Sequence, residues 1–131
     1  MQIYKVKEMP AGLKAGDIVT ATGVRAQYKT TVEMGDGTNL PVIEKVESAK
    51  IVSLAEFNAA PDGSELLVIT GTVKEIKNGK FGNIYVTDGT TDVYVYGVYG
   101  YGAAKGSADR QNFLANNGIA VGDKITLVGP K

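Results

Sequence analysis

The residues of this chain whose types and spacing could do chemistry lie between positions 74 and 96: Lys74, Lys77, Asn78, Lys80, Phe81, Tyr85, Tyr94 and Tyr96. Strand alternation over this stretch puts Tyr85, Tyr94 and Tyr96 on one face of a hairpin, with Ile84, Val86, Val93 and Val95 on the other. An outward aromatic ring can stack on a nucleic-acid base for about 1–3 kcal/mol, and a neighbouring lysine can meet a phosphate. Sugar rings stack on tyrosine faces as well and need no cation beside them. The expected ligand-binding residues are therefore Lys77, Asn78, Lys80, Phe81, Tyr85, Tyr94 and Tyr96. A purely structural reading competes with this one. Cross-strand tyrosines stabilise a hairpin by packing on each other or on the N-terminal segment, and turn lysines keep it soluble.

Composition bears on both readings. Fourteen basic and fourteen acidic side chains give zero formal net charge. A general nucleic-acid binder carries a basic excess, so any phosphate recognition here has to be local. Histidine and cysteine are absent, which removes disulfides, thiol nucleophiles, zinc sites and the commonest acid/base side chain. Asp36-Gly37-Thr38-Asn39 and Asp88-Gly89-Thr90-Thr91-Asp92 bring oxygen ligands close together, yet neither has the terminal glutamate of a calcium-binding loop. An Asp-Gly hairpin turn accounts for the second of them. Glu44 and Glu47 are paired in sequence with nothing around them to raise a carboxyl pKa. Phosphate-loop and serine-elbow patterns are missing. The expectation is a non-enzymatic chain with no catalytic residue, no metal and no cofactor.

The elements that must position the tyrosines come from Leu66–Tyr101. Leu67, Ile69, Gly71 and Val73 share one face of a strand, and Gly71 predicts a bulge or tight bend. Upstream, Gly16–Arg25 and residues 27–34 alternate as strands, Gly35–Asn39 is a turn, and Ser48–Leu54 is a further short strand. Ser53-Leu54-Ala55-Glu56 has the form of a capping box, which predicts a helical turn over Leu54–Ala59. Val98-Tyr99-Gly100-Tyr101-Gly102 reads as a glycine-enabled turn whose tyrosines cover a barrel end. A helix is predicted from Ser107 to Gly118, with Phe113 and Leu114 as its apolar side. No apolar run approaches the roughly 20 residues of a membrane helix, and residues 1–12 lack a signal-peptide core.

The final strand repeats the first. Gly122-Asp123-Lys124-Ile125-Thr126-Leu127-Val128-Gly129 aligns with Gly16-Asp17-Ile18-Val19-Thr20-Ala21-Thr22-Gly23, with Gly, Asp, Thr and Gly coinciding. Gly-Asp before an alternating run is a common strand opening, but the two copies continue differently. The first leads into another strand and the second does not.

Five pieces carry a resemblance: Ala55-Glu56-Phe57, Gly71-Thr72-Val73, Gly82-Asn83-Ile84-Tyr85-Val86-Thr87-Asp88, Val93-Tyr94-Val95-Tyr96-Gly97, and Gly122-Asp123 with its strand. Together they resemble the OB-fold modules of lipoproteins exported by gut-dwelling bacteria, a family described as nucleic-acid-binding on the strength of its fold. The match covers residues 53–131, and residues 12–34 if these end a preceding, similar module. The resemblance implies an all-β, five-stranded Greek-key barrel with one main helix. It further implies a ligand face on strands two and three and an exported or cell-surface parent. This chain departs from the pattern by ending before strand five. The expected organisation is thus an N-terminal β extension, residues 1–52, and an OB-type barrel core, residues 53–131. The extension would supply the closing strand, from 27–34 or 48–54, within the chain or by exchange between copies. The expected function is single-stranded nucleic-acid binding. The alternative is an extracytoplasmic assembly module that meets glycans or protein partners.

Overall fold

A computed structural model describes residues 1–131, and the chain forms two compact units, Met1–Lys50 and Ile51–Lys131. The first contains β1 (Gln2–Ile3), β2 (Ile18–Thr22), β3 (Arg25–Tyr28), β4 (Thr31–Met34) and β5 (Val42–Glu47). β3 and β4 form an antiparallel hairpin with β1 parallel to β4, while β2 and β5 pair antiparallel as a separate ribbon. Residues 27–34 are therefore not one strand. Lys29 adopts a left-handed φ of 53°, which turns the chain back on itself. Ala49 and Glu33 are buried, but no cluster of buried apolar side chains forms in this unit.

Leading into the second unit, β6 (Lys50–Ile51) is followed by α1 (Leu54–Ala59) and β7 (Leu67–Asn78). Next come β8 (Asn83–Thr87), β9 (Asp92–Val95), a 3-10 turn at Ala108–Arg110, α2 (Phe113–Asn116) and β10 (Lys124–Gly129). The capping box at α1 forms as predicted: Ser53 Oγ accepts the Glu56 N–H at 3.1 Å, and Glu56 Oε2 accepts the Ser53 N–H at 2.7 Å. The sheet runs β10-β7-β8-β9, antiparallel throughout, and curls into a half-barrel. β7 carries the curl because Leu67–Thr72 pair with β10 whereas Thr72–Asn78 pair with β8. Leu54, Ile69, Val73, Ile84, Val86, Val93, Val98 and Leu114 fill the concave side. This mostly β half-barrel with two short helices is consistent with the expected small all-β barrel with one helix.

Three local expectations change. β7 shifts register against β8 twice: at Lys74, where Val73 to Glu75 stand against one step from Val86 to Tyr85, and at Lys77, where Ile76 to Asn78 stand against one step from Ile84 to Asn83. Gly71 keeps register and serves close packing instead. A Cβ there would lie 3.1 Å from the Thr87 carbonyl oxygen and 3.4 Å from Leu54 Cδ1. The predicted helix over 107–118 is broken at Asn112, which takes a left-handed φ of 54° and donates its N–H to the Lys80 carbonyl at 2.8 Å. With Phe113 and Leu114 as its main apolar side chains, this segment gains too little burial to offset helix nucleation, so one competing hydrogen bond redirects it. Finally, no strand lies between β9 and β10. Thr31–Met34 pair with β1 and β3, and of residues 48–54 only Lys50–Ile51 form a strand, which pairs with β7. There the Val52 N–H reaches the Val68 carbonyl at 3.0 Å, on the stretch of β7 that β8 does not reach.

Candidate binding face

The tyrosine face is built by register. β8 and β9 pair Tyr85 with Tyr94 directly, and their rings sit 5.1 Å apart at 51°, within the range of favourable tilted aromatic pairs. That contact gives the structural reading its due for these two side chains. It does not consume the face: Tyr94 is 46% exposed, and Tyr96, in the bend just past the end of β9, is 82% exposed. The Lys74 bulge puts Glu75 opposite Tyr85, so the strip across β7, β8 and β9 reads Glu75, Tyr85, Tyr94.

The expected cations are present, and two of them are engaged. Lys77 Nζ is 2.9 Å from Glu75 Oε1, and this contact holds the Lys77 ammonium above its usual pKa. Lys74 pairs with Asp92, whose carboxyl is lowered first by that lysine and then by the Thr87 hydroxyl. Lys80 has no carboxylate against it and lies 5.4 Å over the Phe81 ring. Asn78 closes the β7–β8 turn, its Oδ1 accepting the Phe81 N–H at 3.3 Å. Phe81 itself is half exposed. The structure thus pairs Tyr85 with Tyr94 on one face, with Lys77 near them through Glu75, and puts Tyr96 in the bend just past the end of β9. Asn78, Lys80 and Phe81 belong to the adjoining turn.

That turn is tied to the loop after β9. Gly82, at φ 68°, lets Val98 approach so closely that any side chain would run into the Val98 backbone. The Val98 N–H donates to the Gly82 carbonyl at 2.9 Å. Val98 enters the core, but Tyr99 and Tyr101 stay outside, 40% and 62% exposed. The expectation that these tyrosines cover the barrel end is not met. Tyr99 is instead stacked by Arg110, with the guanidinium carbon 3.9 Å from the ring centre. The same guanidinium clamps the Ala103 carbonyl from Nε at 2.8 Å and Nη2 at 2.6 Å. This clamp was missed in the sequence because it joins residues seven and eleven apart across irregular backbone, where no periodicity applies. Behind it, Tyr101, Asp109, Phe113 and Asn116 help line an open cleft of about 460 Å³.

The two acidic loops use their carboxylates internally. Asp88 Oδ1 accepts the N–H groups of Thr90 and Thr91 at 2.9 and 2.7 Å, and Asp36 Oδ1 accepts those of Thr38 and Asn39 at 2.8 and 2.7 Å. Backbone donation stabilises the ionised form, so both carboxyls fall below their usual range. No three acidic side chains converge as metal ligands, and no helix is long and apolar enough to cross a membrane. Set against protein-family models, curated proteins and solved structures, the chain matches none of them.

Proposed function

We propose that this chain is a non-catalytic binding module of OB type that holds an extended polymer across Tyr85, Tyr94 and Tyr96, with single-stranded nucleic acid as the leading ligand. The observation that carries the reading is the exposed, register-fixed tyrosine strip on β8 and β9, capped by Tyr96 at 82% exposure. OB barrels use the equivalent strands and their flanking turn for oligonucleotides and oligosaccharides. Lys80 in the turn is available to a phosphate, and Lys77 can exchange its exposed pairing with Glu75 for one, since such surface pairs hold by about 0–1 kcal/mol. Fluorescence anisotropy of a labelled single-stranded oligonucleotide, at low and moderate salt, tests the reading. Tyr96→Ala and Tyr94→Ala should each weaken binding about 5- to 150-fold, the equivalent of about 1–3 kcal/mol per stacked base. Absence of binding at high micromolar protein in low salt ends the nucleic-acid reading.

A second reading draws on the ion pairs. Lys74 and Lys77 already face Asp92 and Glu75, so the strip is nearly neutral and suits an uncharged glycan. In this reading the chain is an extracytoplasmic assembly module that meets glycans or protein partners, its own copies included, through strand exchange. Oligosaccharide binding that is insensitive to salt and lost in Tyr96→Ala would favour it.

A further inference from the structure

Two asparagines of this chain precede a glycine: Asn78-Gly79 in the turn between β7 and β8, and Asn117-Gly118 at the end of α2. This dipeptide carries its own reaction. The backbone nitrogen of the glycine attacks the asparagine side-chain Cγ, an approach that no Cβ on the glycine obstructs. The new N–Cγ bond closes a succinimide ring, the Cγ–Nδ2 bond breaks, and the side-chain nitrogen leaves as ammonia with the proton of the attacking N–H. Water then opens the ring at either carbonyl, giving aspartate or its isoaspartyl isomer. Water is the only co-reactant, and nothing is oxidised or reduced.

Both dipeptides are exposed, but the fold treats them differently. At Asn117 both reacting nitrogens are held. Its Nδ2, the leaving group, donates to the Phe113 carbonyl at 2.8 Å, and the Gly118 N–H, the nucleophile, donates to the Ala115 carbonyl at 3.1 Å. At Asn78 neither is held: the Gly79 N–H donates to no backbone carbonyl, and Asn78 Nδ2 to no protein acceptor. The hydrogen bond that the Asn78 side chain does make is at Oδ1, which accepts the Phe81 N–H at 3.3 Å. A donor on that oxygen draws electrons from Cγ, the atom the nitrogen must attack.

We infer that Asn78-Gly79 is a self-modification site, deamidating in the folded chain ahead of Asn117-Gly118 and so placing a carboxylate in the turn that carries Lys77 and Lys80. That turn adjoins the tyrosine face. Lys77 already meets Glu75, whereas Lys80 lies over the Phe81 ring with no carboxylate against it. Either product gives the turn an acid of its own, and an anionic ligand would meet repulsion there. The isoaspartyl product also adds a main-chain carbon at the position that pairs with Asn83 to close the hairpin. The effect on a ligand rests on the binding reading above; the reaction itself does not.

Incubation of the folded chain at neutral pH, followed by chymotryptic peptide mapping in a mass spectrometer, reads both sites in one sample. Asn78 should convert about tenfold or more faster than Asn117, the rate equivalent of the two hydrogen bonds that the second site must break. In urea those contacts are gone, and the two rates should converge. Gly79→Ala should slow conversion at Asn78 without unfolding the chain, since Gly79 has no left-handed φ and an added Cβ would meet Ile76 Cγ2 at an ordinary 3.9 Å. Equal rates in the folded chain, or faster loss at Asn117, overturn the inference. So does an Asn78 that keeps its amide in the folded chain while converting in urea. Anisotropy with the labelled oligonucleotide reads the consequence: the aged chain and Asn78→Asp should both bind more weakly than the fresh chain, most clearly at low salt. Unchanged affinity overturns the effect on the site, whereas no binding by the fresh chain ends the nucleic-acid reading and spares the modification.

Discussion

At the scale of single residues, the tyrosines divide by what they touch. Tyr85 and Tyr94 pack on each other, so removing either alters the hairpin as well as any ligand contact. Tyr96 is 82% exposed and makes no such ring contact. Tyr96→Ala should therefore leave urea unfolding within about 0.5 kcal/mol of the parent while lowering ligand affinity, which separates binding from stability in one substitution. Gly82 predicts the opposite pattern. Its positive φ and the Val98 backbone against it should make Gly82→Ala lose about 1–3 kcal/mol in the same unfolding experiment. The acidic turns add a pH dependence. Asp36, Asp88 and Asp92 all have folded pKa values below the ordinary 3.8. A depressed carboxyl contributes stability above its unfolded pKa and loses it as pH falls through the folded value. The melting temperature should accordingly drop as pH is lowered below 3.8, and Asp88→Asn, which keeps an acceptor oxygen without the charge, should flatten that drop.

At the scale of elements, α1 is short, and the cap at its N-terminus matters accordingly. Leu54 is its one buried residue and packs over Gly71, so the capping box sets where that side chain enters the core. Ser53→Ala should cost about 0.5–2 kcal/mol, read from urea unfolding, with Glu56→Ala in the same direction. This helix was legible in the sequence because capping is a contact between residues three apart. The helix over 107–118 was not, because Asn112 is diverted by Lys80, thirty-two positions away. The Lys74 bulge was missed for a related reason. Alternation is read along one strand, whereas a bulge is a mismatch between two, and Gly71 drew attention to the wrong position.

At the scale of the whole molecule, the two units differ in what holds them. Ile51–Lys131 has a buried apolar cluster and Met1–Lys50 has none. In place of apolar burial the first unit has Asp17, whose carboxylate is shielded from solvent between Lys14 Nζ at 2.7 Å and Lys45 Nζ at 3.2 Å and also accepts the Ala49 N–H at 3.3 Å. Native-state hydrogen exchange should show β7 and β8 amides as the best protected and those of β2–β5 exchanging through local opening. Asp17→Ala should deepen that contrast by loosening Met1–Lys50, whereas the equivalent Asp123→Ala, which frees a single backbone N–H, should perturb its unit much less.

The sequence by itself determined the strand faces, the hairpin that pairs the tyrosines, the α1 cap and the repeated Gly-Asp turn. Each depends on residues within a few positions of one another, where backbone sterics and short-range hydrogen bonds act without reference to the rest of the chain. Only the tertiary structure decided that Lys74 meets Asp92, that Arg110 stacks on Tyr99, and that β6 joins β7 instead of bridging β9 and β10. Those outcomes are competitions between distant partners for the same edge or charge, and local pattern carries no record of which partner wins.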